Sequence, residues 1–549
     1  MILGSTSILY DSGMYGSVVQ PLLTDLYQIT MCYGYWRSNK HNQNSVFELF
    51  FRKNPFKGEF TIFCGLRDVI VFLENFTITD EDVQYLKSVM PDAEPEFFHY
   101  MQSLDPKQMK IRAQKEGSVC FPRVPLITLE GPLALCQLVE TTLLTLVNFA
   151  SLVATNAVRY RLAAGDDKIL LEFGLRRAQG PDGGLTASKY CYVGGFNATS
   201  NVLAGKMYGI PIKGTQAHSF VTSFSKISEL KEQKTTLKSK NGAQECDLVD
   251  LTIKYLEDVK NVLEIPEIHE GELASFIAYA CAFPENFLVL IDTYATLGSG
   301  IASFLAVALA LDHIGYRATG VRIDSGDLAY QSHVVHDKMC LVADRLGVEW
   351  FKTGLTIVAS NDLDEETLYS FRNQDHKINA FGIGTNLVTC LNQPALGCVY
   401  KIVEIEGRPC MKLAQEVGKM TFPGNKKVYR LQGSQGTAIL DLISTEHEPK
   451  PEINQPVLCR DPFTATKRAY CKPSSIQELL VPVWDENGCV EPVQTLQEVR
   501  EFVLESLKSL RADVKRKLNP TPYKVSLSNK LFDFMHDQWL QNAPIGQLD

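Results

Sequence analysis

The sequence is short of positive charge. Its 54 Lys and Arg residues are outnumbered by 63 Asp and Glu residues, which gives a formal net charge of -9. This balance does not favour binding to DNA, RNA or an anionic membrane surface, so we expect no nucleic-acid partner and no membrane partner. An anionic substrate would therefore need a local cluster of Arg and Lys.

Several patterns are missing altogether. The 14 Cys form no CxxC pair and show no zinc-ligand spacing, so we interpret them as free thiols of a reducing compartment. The start of the chain does not resemble a signal peptide, and the longest apolar run, Ile301 to Leu311, is shorter than the ~20 residues of a membrane span. There is no GxxxxGK[ST] loop, so any use of ATP does not involve a P-loop.

The middle of the chain contains a series of short apolar strands that end in polar residues, with helical patterns between several of them. An apolar strand, a polar tip and a helix form the repeating unit of a parallel sheet, and about six units in ~230 residues favour a (β/α) barrel. The predicted strands are KILLEFG (168–174), GIPIKGT (209–215), FLVLIDT (287–293), ATGVRIDSGD (318–327), LTIVASND (355–362) and KINAFGIGT (377–385).

Polar residues at two of these tips are candidates for anion binding. Arg176 and Arg177 precede a Gly-rich loop, and an Arg fork suits phosphate or carboxylate. The GxGT run of residues 382–385 resembles a phosphate cup, with N–H donors at Gly382, Gly384 and Thr385. The alternatives are a solvated loop and a simple turn.

Two further tips carry titratable side chains. His218 follows a strand, where a structural role competes with a role as base, ligand or phosphate acceptor. Arg322 and Asp324 are two residues apart and so share one face of a strand, as a binding pair or as a structural ion pair. Asp327, in the next turn, is a candidate for ribose hydroxyls or Mg²⁺. Together the tips indicate an enzyme that acts on a phosphorylated sugar.

Long motifs make the sequence similar to a known family. Over about residues 20–430 it closely resembles the nicotinate phosphoribosyltransferases, particularly the animal form. The motifs that carry the resemblance are PLLTDLYQ (21–28), FELFFRKNPF (47–56), EGPL (130–133), LLEFGLRRAQGPDGGLTAS (170–188), GTQAHSFVTSF (214–224), GVRIDSGDL (320–328) and GIGT (382–385).

The resemblance implies an irregular α/β barrel of the type II phosphoribosyltransferase kind, with a second α/β domain built from both chain ends. We accordingly expect a flexible N-terminal tail (1–18), an N-terminal α/β domain (19–145), a barrel catalytic domain (146–400) and a C-terminal region (401–549) that packs with the N-terminal domain. The polar, Lys-rich segment 226–246 is expected to be a solvated insertion.

The family also implies a reaction. Nicotinate and 5-phosphoribosyl 1-pyrophosphate would give nicotinate mononucleotide and pyrophosphate in NAD biosynthesis. ATP, a co-substrate, would be hydrolysed to ADP and phosphate through a phosphohistidine at His218, which makes the enzyme an ATP-dependent ligase. The expected cofactor is Mg²⁺ or Mn²⁺, and the expected location is the cytosol.

The matching positions imply roles for single residues. Nicotinate would contact Tyr27, Phe173, Thr215 and Arg322. The phosphoribosyl pyrophosphate would contact Arg176, Gly382, Gly384 and Thr385. From the chemistry of glycosyl transfer we add a catalytic role for Asp324, whose carboxylate would stabilise a positively charged ribose.

The resemblance further implies a homodimer with shared active sites. Tyr27 would be supplied to the site of the neighbouring subunit, and Tyr33, Tyr35 and Trp36 fit an interface core. Two alternatives stay open from the sequence: a nicotinamide phosphoribosyltransferase, and an inactive relative that acts as a binding or scaffold protein. Retention of His218, Arg322 and Asp324 argues against the second.

Overall fold

The computed structural model describes residues 18–230, 235–242, 244–412 and 420–542. The chain divides into two units: one combines the residues up to Asn156 with those from Asn392 onward, and the other runs from Ala157 to Leu391. The sequence placed the corresponding limits at 146 and 400. The predicted N-terminal tail lies outside the described residues except for Val18.

The unit Ala157–Leu391 is built on a parallel sheet of six strands, which follow one another across the sheet in the order Leu288–Leu290, Gly320–Ile323, Thr356–Ser360, Ala380–Ile383, Ile169–Glu172 and Ala198–Thr199. Five of the six predicted strands are present. The sixth, in GIPIKGT, is reduced to one parallel bridge between Ile212 and Thr199. Pro211 has no N–H to extend that ladder.

The sheet curls so that its two edges approach each other at their carboxyl ends. His218 follows the bridge at Ile212 on one edge, and Thr293 follows the strand Leu288–Leu290 on the other. The Nδ1 atom of His218 and the Oγ1 atom of Thr293 are 3.0 Å apart. The structure therefore has the irregular (β/α) barrel that the sequence predicted.

Helices connect these strands. The apolar run within Ile301–His313 is buried from Ile301 to Leu311, as the central helix of an α/β core requires. The helical segments of this unit are Leu175–Arg177, Gly180–Val193, Val202–Tyr208, His218–Thr222, Ile227–Leu230, Leu248–Leu263, Glu270–Ala282, Thr296–Gly300, Ile301–His313, Leu328–Leu346, Phe351–Gly354, Glu365–Gln374 and Thr385–Val388. The helix Glu140–Ala164 begins in the other unit, and its residues from Ala157 onward belong to this one.

The Lys-rich segment 226–246 contains more structure than a solvated insertion implies. Thr236–Lys238 and Glu245–Asp247 form a two-stranded antiparallel hairpin, and residues 231–234 and 243 lie outside the described part. Most of the described side chains of the segment are exposed or half-exposed.

The other unit is built from both ends of the chain, as predicted. In its seven-stranded antiparallel sheet the N-terminal strand Asn44–Phe51 pairs with Cys398–Ile405 on one side and with Ile127–Pro132 on the other. The order across this sheet is Arg408–Pro409, Cys398–Ile405, Asn44–Phe51, Ile127–Pro132, Lys110–Ala113, Val481–Asp485 and Gly488–Cys489. Thr61–Ile62 pairs separately with Val119–Cys120.

A second, six-stranded sheet comes from the C-terminal region alone. Its order is Arg468–Cys471, Val457–Arg460, Lys524–Leu527, Ala438–Thr445, Lys426–Gln432 and Ser475–Glu478. The helical segments of this unit are Leu26–Arg37, Leu66–Glu74, Asp80–Val89, Pro95–Gln102, Pro106–Gln108, Leu133–Leu138, Leu496–Lys508 and Asn529–Asn542.

In the part of the chain that the structure describes, two helical stretches, Leu133–Ala164 and Thr296–His313, are long and apolar enough to cross a membrane by length and composition. The second is longer than the apolar run counted from the sequence, because the turn Thr296–Gly300 adds to it. In their most apolar windows 67% and 72% of the residues are buried inside the protein. This degree of burial is typical of core helices.

Candidate active site

His218 lies at the first position of the short helix His218–Thr222, at the carboxyl edge of the parallel sheet. Its Nδ1 atom contacts the Thr293 hydroxyl at 3.0 Å, which fixes the direction of the ring. Its Nε2 atom then points toward two carboxylates, 3.9 Å from Asp292 and 3.8 Å from Asp324. The imidazole is partly exposed, so a ligand has access to it.

Arg322 and Asp324 share the inner face at the tip of the strand Gly320–Ile323. The Arg322 Nε donates to the Ser360 hydroxyl at 2.7 Å, and the Ser360 hydroxyl donates to Asp324 Oδ1. The direct contact from Arg322 Nη2 to Asp324 Oδ1 is 3.4 Å, at the long end for a hydrogen bond. Ser360 thus holds the two charges in place while leaving much of the guanidinium edge available to a ligand.

Phe173 provides an aromatic face beside this guanidinium. The Arg322 Cζ atom lies 5.2 Å from the centre of the Phe173 ring. Gly382 is close beneath the ring: a Cβ added at Gly382 would lie 2.6 Å from Phe173 Cδ2. The glycine that the sequence assigned to a phosphate cup therefore also makes room for the aromatic ring.

A buried carboxylate, Glu172, fixes the loop that carries Phe173. It accepts hydrogen bonds from the Gly174 N–H and from the hydroxyls of Ser188 and Thr199. These three donors come from the loop, a helix and a neighbouring strand. The position of Phe173 therefore depends on the packing of the whole edge.

The expected phosphate-binding residues lie at the same edge. Arg176 is exposed in the turn Leu175–Arg177, directly after the strand Ile169–Glu172. Gly384 and Thr385 open the short helix Thr385–Val388, after the strand Ala380–Ile383. A Cβ at Gly384 would lie 3.3 Å from the carbonyl oxygen of Phe173, so these two loops are in close contact.

Asp327 has a structural role at the tip of the strand Gly320–Ile323. It is the N-cap of the helix Leu328–Leu346, and its Oδ1 accepts the Tyr330 N–H at 3.0 Å. The residue also lines an open cleft of about 550 Å³, together with Asn361 and Asp362 from the next strand tip. Asn361 has a φ of 152°, an unusual value for a residue other than glycine.

Thr215 is half-buried between the bridge at Ile212 and His218, and its hydroxyl donates to the Gln216 carbonyl oxygen at 3.3 Å. The neighbouring Gln216 side chain is buried. Among the described residues neither its Oε1 nor its Nε2 has a hydrogen-bond partner. A buried amide of this kind needs a polar partner, which a bound substrate would provide.

Tyr27 belongs to the other unit, on the helix Leu26–Arg37, where 47% of its surface is exposed. The nearby aromatic residues are less available than the sequence suggested. Tyr33 and Trp36 pack against Phe97 of their own unit, with ring centres 5.0 Å and 6.0 Å from that of Phe97. Tyr33, Tyr35 and Trp36 are each half-buried, so their place in a subunit interface stays a prediction, and the Tyr27 side chain is accessible.

Asp292 is the residue that sequence reasoning missed. Its side chain is 1% exposed; Oδ2 accepts the Asp324 N–H and the Ser325 hydroxyl, while Oδ1 has no hydrogen-bond partner among the described residues. It is the last residue but one of the run FLVLIDT, so its place at a strand tip was visible. Its proximity to His218 and Asp324 was not.

The carboxylates at this edge are candidate ligands for a divalent cation. In the described part of the chain no group of three or more His, Cys, Asp or Glu side chains is arranged to hold a metal ion. Mg²⁺ usually takes one or two carboxylates and completes its shell with water and substrate phosphate. Oδ1 of Asp292 has no hydrogen-bond partner among the described residues and lies near His218, as does Oδ2 of Asp324, which fits that pattern.

The carboxyl edge of the sheet therefore brings together His218, whose ring is oriented by Thr293, and Arg322, which lies beside the Phe173 ring. The carboxylates of Asp292 and Asp324 and the glycine-containing loops lie at the same edge. This is the site of a barrel enzyme that acts on a phosphorylated sugar and a small flat anion.

Comparison with known proteins specifies the family. Family models match residues 22–148 (nicotinate phosphoribosyltransferase N-terminal domain), 309–461 (nicotinate phosphoribosyltransferase family) and 425–535 (nicotinate phosphoribosyltransferase C-terminal domain). The chain belongs to the nicotinate phosphoribosyltransferase family, as its motifs predicted.

Relatives are similar over nearly their full length. The chain is 54% identical to the nicotinate phosphoribosyltransferase of Caenorhabditis elegans, covering 97% of this chain and 96% of the relative. It is 49% identical to nicotinate phosphoribosyltransferase 1 of Arabidopsis thaliana, covering 98% and 97%. The crystal structure of human nicotinic acid phosphoribosyltransferase superposes with a TM-score of 0.85 at 44% identity, covering 94% of this chain and 100% of that one.

Proposed function

We propose that this chain joins nicotinate to 5-phosphoribosyl 1-pyrophosphate, giving nicotinate mononucleotide and pyrophosphate, with ATP hydrolysed through a phosphohistidine. The observation that carries the proposal is the cluster of Arg322, Phe173, Asp324 and His218 at one edge of the barrel. Family membership and the names of the relatives support the choice of substrates.

Arg322 and Phe173 would bind nicotinate. Nicotinate is a flat ring with one carboxylate. A guanidinium whose outer edge is free suits that carboxylate, and the neighbouring aromatic face suits the ring. Thr215 and the buried Gln216 amide provide further polar contacts at the same edge. Tyr27 would cover the ring from the opposite side.

The loops at the carboxyl ends of the neighbouring strands would bind the phosphoribosyl donor. Arg176 and the N–H groups of Gly384 and Thr385 would bind the phosphates of the phosphoribosyl donor. Carbon–oxygen cleavage at the anomeric carbon leaves positive charge on the ribose, which the carboxylate of Asp324 would stabilise while the nicotinate nitrogen forms the new bond. The leaving group carries its electron pair away as pyrophosphate.

His218 would be the phosphate acceptor. With Nδ1–H donating to the Thr293 hydroxyl, Nε2 carries the lone pair that attacks the γ-phosphorus of ATP, and the bond to ADP breaks. Water later hydrolyses the phosphohistidine, which releases phosphate and restores the free imidazole.

Mg²⁺, or Mn²⁺ in its place, would be held by Asp292 and Asp324. It would supply positive charge for the phosphates, which otherwise face two carboxylates near Nε2 of His218. The preference of hard cations for carboxylate oxygen supports this assignment. Asp327 is the weaker candidate, because one of its oxygens already caps a helix.

We further propose a cytosolic homodimer in which Tyr27 of each chain completes the site of the other. The exposure of Tyr27 supports this arrangement. The absence of disulfide-like spacing and the free state of all 14 Cys support a reducing compartment.

A single assay tests the proposed reaction. Purified protein is supplied with phosphoribosyl pyrophosphate and Mg²⁺, with nicotinate or nicotinamide as base, and with or without ATP. We expect nicotinate mononucleotide from nicotinate, stimulation by ATP, and little product from nicotinamide. Preferential use of nicotinamide, or no product from either base, would contradict the proposal.

A further inference from the structure

The C-terminal six-stranded sheet carries a groove that is separate from the barrel site. The groove lies between the edge strand Arg468–Cys471 and the segment Pro522–Ser526, and its volume is about 910 Å³. This volume is within the range of small-molecule pockets, roughly 300–1,000 Å³. We call it the C-terminal groove.

The floor of the C-terminal groove is apolar and well packed. Leu440, Cys459 and Cys471 line it, and all three belong to the buried core cluster of this sheet. Lys524 is the register partner of Leu440 on the neighbouring parallel strand, and both residues line the groove, so the Lys524 side chain lies beside this floor. The groove therefore places a cation directly beside apolar surface.

Its rim is positively charged, in a protein whose net charge is -9. Five cationic side chains line the groove, against the two acidic side chains of Glu59 and Asp461. Asp461 Oδ1 is engaged by the backbone N–H groups of Phe463 and Thr464. Within the described residues, Arg468, Lys472 and Lys524 have no side-chain hydrogen bond or ion pair.

Aromatic rings complete the lining. Tyr523 stacks on Phe121 with ring centres 3.5 Å apart, and its hydroxyl donates to Asp441 at 3.0 Å. Phe121 thereby covers one face of the Tyr523 ring, so Tyr523 lines the groove with its other face or with the edge of its ring. Phe463 also lines the groove, and the Tyr470 side chain is 73% exposed at the rim.

We propose that the C-terminal groove binds a nucleotide, with the base against the aromatic side chains and the phosphate at Arg468, Lys472 and Lys524. Every nucleobase has a flat face that can stack on an aromatic side chain, whichever base it is. Arg and Lys provide the contacts to the phosphate. An acidic peptide would use the cations but not the stacking surface. The limited volume of the groove excludes a long nucleic acid.

Photolabelling of the full-length protein tests this proposal. The probe is 8-azidoadenosine 5′-monophosphate, and labelled peptides are identified by mass spectrometry. We expect label within residues 467–472 or 522–526, and protection by excess adenosine monophosphate. Adenosine alone and pyrophosphate alone, at the same concentration, should each protect much less.

Variants locate the phosphate contacts. Combining Arg468→Glu with Lys472→Glu should lower labelling of the groove at least tenfold. The matched pair Lys508→Glu with Lys530→Glu, on exposed positions outside the groove, should leave it unchanged. If the first pair impairs folding, the milder pair Lys472→Gln with Lys524→Gln should lower labelling in the same direction.

Three results would overturn the proposal: no label in the groove, equal label in the groove variants, or protection by pyrophosphate as strong as by the nucleotide. The Arg322→Ala variant keeps the groove intact. Its groove should therefore label like that of the wild type, so the outcome is independent of the reaction proposed for the barrel.

Discussion

The Nη2 atom of Arg322 lies 3.4 Å from Oδ1 of Asp324, and the Ser360 hydroxyl joins the two side chains by shorter hydrogen bonds. A purely structural ion pair would use the guanidinium more fully, with two parallel contacts. The bridging serine instead fixes the positions of both charges while the direct contact stays loose. This geometry suits a pair that receives a ligand.

Replacing Arg322 with Ala should remove most nicotinate use. Loss of the carboxylate partner should lower kcat/KM for nicotinate by about 2–4 kcal/mol, or roughly 30- to 1,000-fold. Steady-state kinetics measures this, and a thermal unfolding curve checks that the variant folds. Arg345→Ala, at an exposed position of the same unit, is the control. Kinetics like those of the wild type would show that Arg322 does not anchor the carboxylate.

His218→Ala should abolish phosphoenzyme formation and nicotinate-stimulated ATP hydrolysis. Some synthesis without ATP should remain, because the sugar donor is itself activated. Label from γ-labelled ATP should appear on the wild-type protein as an acid-labile, base-stable adduct. His333→Ala removes a histidine that contacts the Asp375 carbonyl oxygen elsewhere in the unit, and it should label normally. Persistent label on the His218 variant would place the acceptor at another residue.

Gly382→Ala should impair the aromatic side of the site. The added Cβ would lie 2.6 Å from Phe173 Cδ2, so the ring must move. Overpacking of this kind costs about 1–3 kcal/mol, and we expect KM for nicotinate to rise more than KM for the sugar donor. Gly397→Ala, where the added Cβ approaches only Arg52 Cβ at 3.9 Å, is the control. Equal changes in the two KM values would argue against a role of Phe173 in holding the base.

A mixture of two inactive variants tests the shared site. Tyr27→Ala and Arg322→Ala proteins would be mixed, partly unfolded and reassembled. If Tyr27 acts in the neighbouring chain, one of the two sites in each heterodimer has both wild-type residues, so about a quarter of full activity should return. Activity assays on the reassembled mixture measure this. If heterodimers form and no activity returns, Tyr27 serves its own chain.

Glu272 should make stability depend on pH. Burial, opposed by a hydrogen bond from Ser299, raises the pKa of its carboxyl to about 7, from an ordinary value of 4.5. The folded state therefore favours the proton, and this stabilising contribution is complete below pH 4.5 and lost as the pH rises through about 7. Over that window the loss is on the order of 1–3 kcal/mol.

The measurement is the free energy of unfolding in denaturant at several pH values from 5 to 8. Glu272→Gln, which is neutral throughout, should gain stability relative to the wild type as the pH rises. Glu267→Gln, at an exposed position, should follow the wild-type curve. A constant difference between Glu272→Gln and the wild type would mean that this carboxyl does not titrate in the window.

The local pattern alone determined much of the barrel. Apolar runs such as FLVLIDT and ATGVRIDSGD are strands because buried parallel strands need apolar side chains on both faces. Their polar tips lie at one edge for the same topological reason. Arg322, Asp324 and His218 could therefore be assigned to one edge from their positions in the sequence, and the long motifs around them indicated the family.

Only the tertiary structure showed which of these side chains meet. Asp292 and Ser360 lie 32 and 36 residues from Asp324, yet both hydrogen bond with it, because parallel neighbours are joined by intervening helices. A much longer separation along the chain hid the contact of Gly382 with Phe173. Local sequence encodes strand, turn and helix, whereas contacts between strand tips depend on how the sheet curls, and that is decided by the packing of the whole unit.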